Sequence, residues 1–340
     1  MSNMTLPLMH CNPYLVLIAA AIKPEKWRHA GDCIQQVKRR SPMSANIPLV
    51  VAPSKPLREP QVPFALKAMR WAIRAYARIS SQGAGRMLNR LWFTPQRYGV
   101  GSRFDALLDK ADAFMNLKVG ALTIPVYSWG SGPVVLCAHG WSGSGVQFGA
   151  MVAPLVEKGY RVVAFDAPGH GRAQGVRTNV LQMRDAILAV AAQTLGVHAV
   201  VAHSLGSIAA AMAVREGLLT NKVIMLAPPA DMQVVLDVFQ QRLQVPDAVM
   251  LAHCKLMEQE FGDDIWDRLS LMKNVPLIQA EGMIVSDIND AEVPAAYGEA
   301  LALKWRGSRF LQTAGLGHYR VLRDESVIEE VVKFINRLPD

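Results

Sequence analysis

The serine in Ala199-Val-Val-Ala-His-Ser-Leu-Gly-Ser207 stands at the end of a β-branched run, just before the alanine-rich stretch Ile208–Val214. A strand that passes through a tight turn into a helix lifts such a serine clear of a sheet. The turn closes only when its neighbours are small, and here they are Ala202 and Gly206. The first-turn N–H groups of the helix then point at the hydroxyl. Ser204 is therefore a candidate nucleophile, and the chemistry would be attack on an electrophilic carbonyl.

A serine hydroxyl needs a base, and the base needs an orienting acid. His318 lies in Gly315-Leu-Gly-His-Tyr319, after the last strand signal and before the helical stretch Ser326–Arg337, and is the candidate base. The acid must come from Ile284-Val-Ser-Asp-Ile-Asn-Asp-Ala-Glu-Val-Pro294, which offers Asp287, Asp290 and Glu292. Asp290, four residues before Pro294, is the choice, with Asp287 in reserve. Developing charge on the carbonyl oxygen needs fixed N–H donors. The glycines in Cys137-Ala-His-Gly-Trp-Ser-Gly-Ser-Gly145 free a backbone to supply one. The expected donors are the amides of Trp141 and Leu205. His139 is expected to order that loop, Trp141 to shape a pocket with its side chain, and His203 to pack the turn. Asp166 and His170 are expected to hold the turn Phe165-Asp-Ala-Pro-Gly-His-Gly171.

Strand signals fall at Leu117–Val119, Thr123–Ser128, Val134–Ala138, Arg161–Phe165, Ala199–Ala202, Lys222–Ala227, Val275–Ala280 and Arg309–Thr313. Helical stretches at Phe148–Lys158, Arg184–Leu195 and Ser207–Glu216 separate the later ones. Near-continuous apolar strands are what a parallel sheet covered on both faces requires. The predicted fold is α/β: an eight-stranded, mostly parallel sheet with helices on both faces. Between Ala227 and Val275 lie three helical stretches, Met232–Leu243, Asp247–Phe261 and Asp263–Met272. They read as a small helical cap at about 231–273.

Five motifs in this order resemble the α/β-hydrolase superfamily from about Lys118 to Leu338. They are His139-Gly140, the Phe165–Gly171 turn, the serine turn, the Asp-x-x-Val-Pro loop ending at Pro294, and Gly315-x-Gly-His318. The resemblance implies that the second of the eight strands runs antiparallel, that the cap covers the serine, and that hydrolysis needs no cofactor. It also implies an esterase-like serine hydrolase. Two departures stand out: Ala202 where glycine is usual, and a helical extension before the core.

The chain of 340 residues carries a net charge of +8, unevenly spread. Residues 1–103 hold 16 Lys and Arg against 3 Asp and Glu; residues 104–340 hold 20 against 25. The basic character thus belongs to the N-terminal part and gives no case for nucleic-acid binding by the main domain. Residues 1–62 read as a poorly ordered lead, with prolines at 42, 48, 53, 56, 60 and 63 that break helix and sheet. Met43 at the head of that linker leaves open whether residues 1–42 are translated. The apolar stretch Tyr14–Ile22 is about half a membrane span and lacks the basic flank and cleavage site of a signal peptide. Four scattered cysteines, Cys11, Cys33, Cys137 and Cys254, form no CxxC pair and suit a cytoplasmic protein with neither zinc site nor disulfides.

Residues 63–114 read as a basic helical segment and 115–340 as the hydrolase domain. In the first, Leu66, Met69, Ile73 and Tyr76 recur at helical spacing, with Lys67, Arg70, Arg74 and Arg78 on the other side. A second helix is expected over Gly85–Phe93. The basic side is read as a solvated face of a docked helix, with contact to anionic lipid headgroups as the rival. The expected partner is a small ester with an apolar group, since the cap is rich in Leu, Val, Met and Phe. A silent binding module with this fold is the other rival. Oligomeric state is left open.

Overall fold

A computed structural model describes residues 47–49, 63–97 and 102–337. The lead other than 47–49 and the prolines before Pro63 other than Pro48 lie outside the described residues, as do Met43, the Tyr14–Ile22 stretch, Cys11 and Cys33. The strands are β1 (Ile47–Leu49), β2 (Ala113–Val119), β3 (Leu122–Trp129), β4 (Val134–Ala138), β5 (Arg161–Phe165), β6 (Ala199–His203), β7 (Lys222–Leu226), β8 (Glu281–Asp287) and β9 (Arg309–Thr313). They form one sheet in the order β1-β9-β8-β7-β6-β4-β5-β3-β2. β3 pairs antiparallel with both β2 and β5, and the remaining pairs are parallel.

Seven of the eight expected strands form where expected, the remaining one is displaced along the chain, and a ninth joins the sheet. Ile47–Leu49, assigned from sequence to the lead, pairs in parallel with β9. Pro48 suggested that no strand forms there, but an edge strand bonds on one side only and tolerates proline. A second difference is one of register. The seventh of the expected strands, Val275–Ala280, is instead a 3-10 turn at Val275–Leu277 containing Pro276. The strand begins six residues later at Glu281. Gly282 is needed there, because a Cβ would lie 2.6 Å from the Trp305 indole.

Alternation along the strands builds two cores, one per face, as strand geometry dictates. Val134, Leu136, Ala138, Val200 and Ala202 face one cluster; Val135, Cys137, Ala199 and Val201 face the other. Helices α1 (Phe64–Ile79) and α2 (Ser81–Trp92) come first, then α3 (Ser102–Leu108) and α4 (Gly149–Glu157). α5 (Val180–Ala191), α6 (Leu205–Arg215), α7 (Met232–Leu243) and α8 (Asp247–Phe261) follow. The expected third cap helix is two short pieces, α9 (Ile265–Arg268) and α10 (Leu271–Asn274), interrupted at Leu269 and Ser270. The last are α11 (Ala295–Lys304), α12 (Gly317–Arg320) and α13 (Glu325–Asn336). α5 and α6 cover the first face through Met183, Ile187 and Ile208. α4 and α13 cover the second through Met151, Leu155, Val331 and Ile335.

α7 and α8 do not lie over the sheet alone. Gly85 of α2 meets α8 so closely that a Cβ would sit 2.7 Å from Ala252 Cβ. The Trp92 ring packs edge-on to Phe239 at 4.9 Å and against His253 at 5.3 Å. Arg70 donates to the Arg242 carbonyl at 2.9 Å, in the last turn of α7, where a helix leaves its C=O groups unpaired. The N-terminal helix pair and the inserted cap helices therefore form one helical roof.

Candidate active site

β6 is a central strand, hydrogen-bonded to β4 and β7 along its length. At its end Ser204 takes φ 51° and ψ −125°, a left-handed setting that L-residues rarely adopt. Its amide donates to the Leu226 carbonyl of the neighbouring strand at 2.9 Å, which pins the strained residue. Small neighbours are obligatory here. A Cβ on Gly206 would stand 2.5 Å from the carbonyl oxygens of both Ala138 and His139, and one on Gly140 would stand 2.9 Å from Ser204 Cβ. Ala202 is fully buried, so the extra methyl group is accommodated.

Ser204, His318 and Asp290 converge. His318 Nε2 lies 3.0 Å from Ser204 Oγ, and His318 Nδ1 lies 2.7 Å from Asp290 Oδ2. The other Asp290 oxygen accepts from the amides of Glu292 at 2.8 Å and Val293 at 2.9 Å, so the carboxylate is fixed in orientation. Asp287, the reserve acid, has a different task. It ends β8 and accepts from the Asn289 amide, the Thr313 hydroxyl and the Leu316 amide at 2.9, 2.8 and 2.9 Å. Asn289 Oδ1 adds a bond from the Gly315 amide at 2.8 Å. Together they tie the acid loop to the histidine loop. The two loops cannot move apart without breaking these bonds.

His203 is buried and donates from Nε2 to the His318 carbonyl at 2.9 Å, holding that residue from behind. Burial and the nearby His318 push its pKa down to about 3, so it is neutral and no second base. His139 accepts the Ala167 amide on Nε2 at 2.9 Å and donates from Nδ1 to the Gly140 carbonyl at 2.7 Å. Asp166 accepts the amides of Gly145 and Arg172, both at 2.8 Å. His170 bonds the Pro168 carbonyl at 3.0 Å and meets the Trp141 ring edge-on at 5.2 Å. These groups shape the loop that presses on Ser204. Leu205 is the first residue of α6, and its amide is one of those a helix leaves free at its start.

Two features escape the motifs. Glu292 Oε2 approaches His318 Nε2 to 3.7 Å and takes a 3.3 Å bond from the Tyr319 hydroxyl. Burial raises this carboxyl above its ordinary range, against the pull of His318. For His318 burial acts downward, but the Asp290 and Glu292 charges outweigh it and leave the imidazole well above its usual value. The sequence offered Glu292 only as an alternative acid. Second, a cavity of about 420 Å³ opens onto Ser204 and His318. Leu66, Met69 and Trp92 from the N-terminal pair line it with Phe239, Leu243 and Met257 of the cap. The helical spacing of Leu66 and Met69 was visible, but nothing in it said what that face meets. Among the described residues no group of three or more His, Cys, Asp or Glu is placed to hold a metal ion.

The esterase EaEST of Exiguobacterium antarcticum superposes with a TM-score of 0.52 at 19% identity, over 66% of this chain and 100% of that one. A thermophilic esterase of Thermogutta terrifontis gives 0.51 at 16% identity, over 66% and 98%. At such identities the likeness is one of fold. A non-heme haloperoxidase of Rhodococcus erythropolis is 44% identical over 48 residues, which is 14% of this chain and only 18% of the haloperoxidase. The sequence profile described as the Alpha/beta hydrolase family matches residues 134–333, more than half of the chain, from the start of β4 into α13. The chain belongs to the Alpha/beta hydrolase family.

Proposed function

We propose that this protein is a serine hydrolase that cleaves a carboxylic ester, or a related acyl bond, through an acyl-enzyme on Ser204. The observation that carries the reading is the continuous relay Ser204–His318–Asp290, at 3.0 and 2.7 Å, on the floor of an apolar cavity. Neutral His318 accepts the hydroxyl proton on Nε2 as Oγ attacks, while Asp290 holds the Nδ1–H and stabilises the imidazolium that forms. The amides of Trp141 and Leu205 receive the oxyanion, each contributing on the order of 10²–10³ in rate. The imidazolium then protonates the departing alcohol. A water deprotonated by His318 attacks the ester carbonyl, and collapse returns the acid and free Ser204.

The cavity volume lies in the range for small-molecule ligands, and its apolar walls favour an apolar acyl or alcohol group. The esterase neighbours support the same reaction class. The test is labelling of the purified protein with a fluorophosphonate, with Ser204→Ala and His318→Ala alongside, followed by an acyl-chain series of esters. Labelling of wild type alone is expected, with a preference for acyl chains beyond acetate. A folded wild type that takes up no probe would remove the enzyme reading in favour of a binding module.

A further inference from the structure

Helix α1 has a second apolar face, which the roof does not use. Its inner side buries Leu66 and Ile73, and Arg70 and Arg74 reach the end of α7 at the Arg242 carbonyl and Gln244 Oε1 (2.9 and 2.5 Å). The outer side carries Phe64, Trp71 and Ile79, exposed to 86%, 73% and 84%. At 100° per residue these three, with Ala68 and Ala75, share an arc of about 80°. Lys67, Arg74 and Arg78 fall in sequence along one edge of that arc. Residues 63–97 hold one lysine, six arginines and no acidic residue. An aromatic apolar arc edged by cations is the pattern of a helix that lies in a lipid interface.

We propose that the outer face of α1 seats on an anionic phospholipid surface. Phe64, Trp71 and Ile79 enter the boundary between headgroups and acyl chains, and Lys67 and Arg78 meet the anionic headgroups. Charge decides against the other occupants. Two copies meeting through this face would bring cationic edges together with no acid on the helix to offset them. The chain's own residues 1–62 carry eight Lys and Arg against three Asp and Glu, so they match the helix in sign. The contact is peripheral: among the described residues no helix is long and apolar enough to cross a membrane. The same helix lines the cavity from its inner side with Ala65, Leu66 and Met69, so the lipid-facing element is also a wall of the site. The proposal does not depend on the hydrolase reading, because binding is measured without turnover.

The experiment is co-sedimentation of the full-length protein with phosphatidylcholine vesicles and with phosphatidylcholine–phosphatidylglycerol vesicles, at low and high salt. Partitioning to the anionic vesicles is expected, falling with salt. The double variant Lys67→Glu/Arg78→Glu should bind at least about tenfold more weakly, since each cation near such a surface contributes roughly fivefold. The triple variant Phe64→Ser/Trp71→Ser/Ile79→Ser should lose binding while keeping the circular dichroism spectrum and cooperative melt of the folded protein. If either variant fails to fold, the other and the wild-type contrast between vesicle types still decide. Absence of wild-type binding, or binding retained in both folded variants, overturns the proposal. A wild-type dimer that the triple variant converts to monomer, without vesicle binding, overturns it too and assigns the face to a second copy.

Discussion

Two aspartates three positions apart share one loop, and their hydrogen bonds give them separable roles. Asp290 spends one oxygen on His318 and the other on two amides, whereas Asp287 spends both on backbone and Thr313. Asp290→Asn should keep the fold and lower kcat by about 10³–10⁴, because the amide no longer favours the required tautomer. Asp287→Asn should instead lower the melting temperature, since bonds to a buried charged acceptor contribute about 1.5–3 kcal/mol each. Thermal melts and steady-state kinetics on both variants check this, and equal effects on activity would contradict the division. Glu292 makes a third expectation. With His318 raised, base catalysis should fall away below a pH above the ordinary histidine value of 6.5. Glu292→Gln removes a negative charge 3.7 Å from Nε2, lowers the imidazole pKa and shifts the acidic limb of kcat/KM downward by about one unit. A limb that stays put would mean that the glutamate is neutral there.

At the scale of elements, the serine turn was legible because its constraints are local. Strand, small residues, serine and helix follow one another within nine positions of sequence, and β6 and α6 form as expected. β8 was misplaced because Val275–Ala280 is the more apolar run, while the true strand includes Glu281, Gly282, Ser286 and Asp287. Its far end is polar because Asp287 accepts the Thr313 hydroxyl and the Leu316 amide, and those bonds between loops hid the strand. The roof was legible only in part. The cap helices α7 and α8 follow the expected bounds, yet their partner is a helix pair some 160 residues earlier in the chain. No local pattern states a contact of that kind. Gly85 marks it after the fact, since α2 reaches Ala252 only without a Cβ. Gly85→Leu should wedge α2 from α8 and disturb the cavity wall at Leu91 and Trp92. Long-acyl esters should then lose kcat/KM more than acetate esters, by about tenfold. Uniform loss across the chain-length series would mean that the helix pair only stabilises the fold.

At the scale of the whole molecule, three histidines among the described residues are buried and held neutral, and that sets a direction for acid stability. His170 and His203 are held down to about 3 and His253 to about 4, burial being the largest cause in each. The unfolded chain takes up these protons near pH 6.5, and the folded chain only at the lower values. Stability from this source is therefore full above pH 6.5 and is lost as pH falls toward 4 and 3. His318, raised by its carboxylates, has the opposite sign and favours the folded state on acidification. One such group does not offset three. His253 isolates the effect, because it lies in the roof at the α2–α8 contact, tilted against Trp92, with neither ring nitrogen bonded to a protein group. Between pH 7 and pH 5 it alone should cost on the order of 2 kcal/mol. His253→Leu should retain packing against Trp92 and flatten the fall of the melting temperature over that range, with the variant more stable than wild type at pH 5. Melting curves that run parallel for the two proteins would show that the roof opens to water before it unfolds, letting His253 take its proton in the native state.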